Sequence, residues 1–75
     1  MTYEALETEL SKIIEETKKE IENEEMGTKT ANYPLLKERL AHANREKDDI
    51  AEGKKHGVKP DFFRYEILQL KEPIY

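Results

Sequence analysis

Between Tyr3 and Met26 the apolar and weakly polar residues recur at Tyr3, Leu6, Leu10, Ile13, Ile14, Thr17 and Ile21, and charged residues dominate the positions between them. Steps of three and four residues gather that set on one side of an α-helix and turn the other sides to water. Helical stability in such a segment comes mainly from burying the stripe, so other protein surface has to be found for it. The pattern opens as a heptad at Tyr3, Leu6, Leu10 and Ile13, but its next seam positions are Thr17 and Glu20. A coiled coil needs the repeat sustained over several heptads. The alternative set Leu6, Leu10, Ile14, Thr17 and Ile21 follows the natural helical period better and predicts packing against another helix of the same fold.

The flanking residues set the ends of this first helix, predicted over 3–26. Thr2 is placed to cap it, and Glu4 and Glu7 lie where the helix dipole favours anions. Glu15 with Lys19 belongs to a solvated face worth only about 0.2–0.5 kcal/mol per pair. Gly27 predicts a left-handed stop, and the residues after it form a short loop with no apolar period. Asn32-Tyr33-Pro34 then announces a second helix over 34–52, with proline in the first turn and Gly53 as the stop. Its apolar set is Leu35, Leu36, Leu40, Ala43, Ile50 and Ala51, with Lys47 laying its methylenes along the seam. Two helices joined so briefly predict an antiparallel hairpin.

The second stripe is the thinner one. Between His42 and Asp49 it offers only Ala43, so a third element has to cover the hairpin. A basic linker over 53–60 leads to Pro60-Asp61, which caps a short helix over 61–71 closed by Pro73. Phe63, Ile67, Leu70 and Ile74 share one helical face, flanked by Phe62 and Leu68. A strand stays open as an alternative, because Phe63, Tyr65 and Ile67 also alternate with Arg64 and Glu66. The resulting fold class is all-α, one domain over 1–75: an antiparallel hairpin of two long helices plus a short C-terminal helix.

Composition bears on what such a fold can do. A chain of 75 residues buries only about 60 % of the surface its unfolded form exposes. With 40 % charged residues against 36 % hydrophobic ones and no cysteine, neither a large core nor a disulfide or thiolate-zinc staple is on offer. That shortage predicts a homo-oligomer, a dimer above all, or docking on another protein. Residues 1–26 hold nine glutamates and three lysines, whereas residues 27–75 hold ten lysines and arginines against eight acids. No stretch approaches the roughly 20 apolar residues of a membrane span. The opening Met1-Thr2-Tyr3-Glu4 lacks the basic and apolar regions of a signal peptide. Together these predict a cytoplasmic chain with no membrane contact.

Catalytic chemistry finds little support in the residues. Ser11 is the single serine, with no histidine nearby in sequence, and Gly27, Gly53 and Gly57 are too isolated for a phosphate loop. His42 and Glu46 share the spacing that metal sites use, but a site built with His56 needs both histidines to converge, and solvated histidines are the expected reading. No metal, cofactor or catalytic residue is therefore expected. The expected role is protein–protein interaction, an adaptor, regulator or inhibitor acting by surface occupancy. Its contacts are assigned to the aromatic tail, Phe62, Phe63, Tyr65 and Tyr75, and to the acidic face at Glu15, Glu22 and Glu25. One alternative is nucleic-acid binding through Lys54, Lys55, Lys59 and Arg64 beside those aromatics. The other is an acidic nucleic-acid mimic that occupies a basic partner through the glutamate face of the first helix.

Overall fold

A computed structural model describes residues 2–71, and the expectations placed on Pro73, Ile74 and Tyr75 lie outside the described residues. The architecture is the expected all-α hairpin with a short third helix, and residues 62–70 are helical rather than strand. Helix α1 runs Tyr3–Met26. Thr2 caps it, its hydroxyl oxygen accepting from the Ala5 N–H at 3.1 Å. The buried residues of α1 are Leu6, Leu10, Ile13, Ile14, Thr17 and Ile21, the stripe read from the sequence. Thr17 is tolerated there because its hydroxyl donates to the Ile13 carbonyl at 2.7 Å.

The loop between the long helices is made differently from the expectation. Gly27 is extended at φ −121° rather than left-handed. The chain is turned instead by side chains. Glu24 accepts from the Thr30 N–H at 3.0 Å and from its hydroxyl, and the Tyr33 hydroxyl donates to Glu25 at 2.8 Å. Helix α2 spans Asn32–Lys55, longer at both ends than the predicted 34–52. Pro34 is thus the third helical residue, still within the first turn where its missing N–H leaves no intrahelical bond unmade.

Gly53 does not stop α2. It lies inside the helix, buried, with the Phe63 ring seated on it. A Cβ at this position would come within 2.5 Å of Phe63 Cζ and 2.7 Å of Cε2. The stop is at Gly57, which holds φ +76°. The Val58 N–H donates to the Gly53 carbonyl at 2.9 Å and the Gly57 N–H to the Lys54 carbonyl at 3.4 Å. This is the paired bonding of a Schellman turn, which needs the left-handed glycine. Lys54 and Lys55 consequently form the last turn of α2 rather than a linker.

The turn sends the chain back along the hairpin. A 3₁₀ turn at Pro60–Phe63 passes directly into helix α3, Arg64–Leu70. Phe63, Ile67 and Leu70 are buried and join Leu6, Leu10, Ile13, Ile14, Ala43 and Ile50 in one core. Tyr3 packs at its edge and donates its hydroxyl to the Val58 carbonyl. At the far end of α3 the Arg39 Nε donates to the Leu70 carbonyl at 2.8 Å, and Lys71 pairs with Glu9. The short helix is fastened to both long ones. On α2 the inward residue between Ala43 and Ile50 is Glu46, buried, while Lys47 is exposed, the reverse of the expected seam.

The molecule measures 44 × 18 × 16 Å with a radius of gyration of 13.5 Å. A compact chain of this length would have about 11 Å. The excess comes from the hairpin end, where Ile21 and Leu36 are buried but α3 does not reach. No helix among the described residues is long and apolar enough to cross a membrane.

The glycine contact makes a specific demand. Alanine gains about 1 kcal/mol over glycine in a helix interior, whereas overpacking a filled core costs about 1–3 kcal/mol. Because the Phe63 ring is itself buried and cannot swing away, Gly53→Ala is expected to lower the thermal midpoint by several degrees. Gly57→Ala should also destabilise, through backbone strain alone, since nothing lies within 4 Å of its would-be Cβ. Thermal melts of each variant combined with Phe63→Leu separate the two causes. The smaller side chain should soften the effect at Gly53 and leave that at Gly57 unchanged.

Candidate functional site

Once Phe63, Ile67 and Leu70 are turned inward, the helical period turns Phe62 and Tyr65 outward. Phe62 is 74 % exposed and Tyr65 68 % exposed. Between them and the C-terminal half of α2 lies an open groove of about 450 Å³. Its apolar lining comes from Phe62, Phe63, Tyr65, Val58 and the bare backbone of Gly53, and its rim from Glu46, Asp49, Glu52 and Glu66 with His56. Phe62 stands edge-on to Phe63, ring centroids 5.3 Å apart at 85°, so a buried ring orients an exposed one.

Beside this groove three ionisable groups converge. His42 and Glu46 are one turn apart on α2, and α3 brings Glu66 against them, with His42 Nε2 3.5 Å from the Glu66 carboxylate. The His42, Glu46 and Glu66 ligand atoms all lie within 4.8 Å of one another. Glu46 is only 5 % exposed. Burial pushes its pKa upward, the neighbouring Glu66 and Asp49 carboxylates push it further, and His42 acts in the opposite sense. The His42-to-Glu46 spacing was visible in the sequence. The third member was not, because only the fold back at Gly57 places Glu66 there.

The residues expected at a contact surface are dispersed. Phe62 and Tyr65 line the groove, Phe63 is in the core and cannot serve as an exposed contact, and Tyr75 lies outside the described residues. Glu15 and Glu22 are exposed on α1 away from the groove, and Glu25 accepts the Tyr33 hydroxyl, whose pKa that bond raises. Lys54, Lys55, Lys59 and Arg64 are all exposed, with Lys54 Nζ 3.4 Å from Glu7. The groove that Phe62 and Tyr65 line has Glu46, Asp49, Glu52 and Glu66 among its other lining residues and none of these four cations. His56 faces Glu52 at 3.4 Å on the surface, apart from His42.

A carboxyl whose folded pKa is raised favours folding when protonated. Its contribution is fully present below the ordinary glutamate value and is lost as pH rises through the raised one. Glu46→Gln should therefore raise the thermal midpoint at about pH 7, and that advantage should shrink toward zero at about pH 4, where wild-type Glu46 is also neutral. Paired melts across this range check it, and an advantage independent of pH would contradict the assignment. No protein family, curated protein or solved structure matches the chain.

Proposed function

We propose that the chain is a protein-interaction module, an adaptor, regulator or inhibitor that acts by surface occupancy rather than catalysis. The observation that carries this reading is that Phe62 and Tyr65 stay exposed although the core closes without them. Two large aromatics flanking a concave strip are the kind of anchor that dominates binding energy, and a contiguous apolar patch of this sort marks a contact surface. The acidic rim at Asp49, Glu52 and Glu66 favours a partner segment that carries lysine or arginine around an apolar anchor. Operation in the cytoplasm belongs to the same proposal, in keeping with a chain that has no cysteine.

Self-association, with a dimer favoured, is the second reading. It draws on Met26, 88 % exposed, and Leu35, 43 % exposed, at the end of the hairpin that α3 leaves uncovered. Nucleic-acid binding through Lys54, Lys55, Lys59 and Arg64 draws less support, since acids rather than these cations frame the groove.

Phe62→Ala and Tyr65→Ala remove surface anchors and should leave the thermal midpoint nearly unchanged. Partners captured from host extract by the wild-type chain should be lost to the double variant, with affinity for a purified partner reduced at least tenfold. Undiminished capture would overturn the groove assignment. Sedimentation velocity over a wide concentration range addresses the second reading. A species fixed at the 8.9 kDa monomer mass would eliminate it. Retention on nucleic acid that falls with salt and disappears on replacing Lys54, Lys55 and Lys59 with glutamine would favour the basic surface instead.

A further inference from the structure

We propose that His42, Glu46 and Glu66 form a binding site for a divalent transition-metal ion of the zinc type, clamping α3 to α2. One imidazole nitrogen and two carboxylates would be the protein ligands. Their potential ligand atoms already lie within 4.8 Å of one another, and His42 Nε2 and the Glu66 carboxylate are 3.5 Å apart. Zinc bonds of about 2.0–2.1 Å in a tetrahedron space the ligand atoms roughly 3.3–3.4 Å apart. One edge of the triangle is therefore close to the required length, and no separation has to close by more than about 1.5 Å, within reach of side-chain torsions.

The second observation is Glu46 itself. The residue is only 5 % exposed, its carboxylate points into the cluster, and among the described residues it accepts no hydrogen bond and joins no salt bridge, so its oxygens, which are not sealed from solvent, face the open groove without a protein donor. Buried carboxylates ordinarily have donors, a cationic partner or a metal. His42 can bring at most one positive charge to two glutamates, with Asp49 adding a further negative charge nearby. A divalent ion balances both ligands. The ligand chemistry also discriminates among ions. Calcium takes six to eight oxygens and magnesium prefers an octahedron of oxygens, whereas a nitrogen with two carboxylates suits zinc and its neighbours. Three protein ligands leave a coordination position open, and Glu46 and Glu66 both border the groove. The surface pair His56 and Glu52 has the same one-turn spacing but is about two-thirds exposed and has no third ligand among the described residues, which makes it the internal control. This inference is independent of the docking proposal, since an ion can bind whether or not the groove has an occupant.

The test is titration of zinc chloride into the chelator-stripped full chain at neutral pH by calorimetry, with the two histidine rings followed by NMR. One ion per chain should bind, shift the His42 ring resonances and leave those of His56 in place. His42→Gln, Glu46→Gln and Glu66→Gln should each weaken binding at least tenfold, and His56→Gln should not. Circular dichroism keeps folding in view, and the metal-free Glu46→Gln chain should melt no lower than wild type. The proposal is overturned by absence of binding, by His56 as the responding ring, by unchanged affinity in the folded His42→Gln chain, or by equal competition from magnesium chloride.

Discussion

The fold depends on the Phe63 ring closing onto Gly53. Helix α1 carries a full apolar stripe, but α2 answers it with only Leu36, Ala43 and Ile50 among its fully buried hydrophobic residues. Two helices of that inequality leave α1 half covered. The return arm supplies the deficit with Phe63, Ile67 and Leu70, and it can approach closely only where α2 has no side chain. The Schellman turn at Gly57 supplies the reversal, and the Tyr3 hydroxyl fastens that turn to the start of α1 through the Val58 carbonyl. Arg39 and Lys71 then anchor the other end of α3. The contacts of Tyr3 with Val58, Arg39 with Leu70 and Lys71 with Glu9 join residues far apart in sequence, so the arm acts as a staple for the near half of the hairpin.

This closure also changes the energetic standing of a single copy. Sparse apolar content predicts reliance on a second chain, yet nine residues from all three helical parts and the 3₁₀ turn make one contiguous core. The charge asymmetry is likewise partly satisfied internally, since Lys54 meets Glu7 and Lys71 meets Glu9. Such exposed pairs contribute only about 0–1 kcal/mol each, so they orient the arm more than they stabilise it. Among the described residues, the large hydrophobic side chains left for a second molecule to cover are Met26 and Leu35 on the hairpin and Phe62, Tyr65 and Leu68 on the return arm.

Local periodicity made the helical parts legible, and tertiary contacts decided the rest. The stripe from Leu6 to Ile21 and the face of Phe63, Ile67 and Leu70 follow from spacing alone, because a helix leaves little choice about which residues share a side. Glycine defeated the same reasoning. Gly53 and Gly57 are equally good stops in sequence, and only the position of Phe63 shows that one is a contact and the other a turn. The Glu46 reversal has a similar origin. Steps of three and of four from Ala43 both stay on its face, and hydropathy favours the methylenes of Lys47, but the approach of α3 selects residue 46. Of the candidate site, Phe62 and Tyr65 were recognisable as aromatics without a place on the inner face, whereas the cluster with Glu66 required the fold.

A glutamate with so little exposure, held beside a second one, carries an electrostatic cost. The Glu46 and Glu66 carboxylates lie within 4.8 Å of each other, so ionised charges on both repel, and the neighbouring His42 and the solvent around the half-exposed Glu66 reduce that repulsion. The whole domain is expected to be stable by only about 4–11 kcal/mol. Against so small a margin even a modest repulsion counts, and it acts at the seam where α3 meets α2. The charge on the cluster is thus one of the contributions to how firmly the arm is seated, beside its apolar contacts. A proton on Glu46, or a cation shared by the cluster, would favour the packing of α3 against α2, and two bare carboxylates would oppose it. Tyr65 and Glu66 are adjacent in α3, and Phe62 lies in the 3₁₀ turn that leads into it, so the cluster and the exposed groove share one short arm.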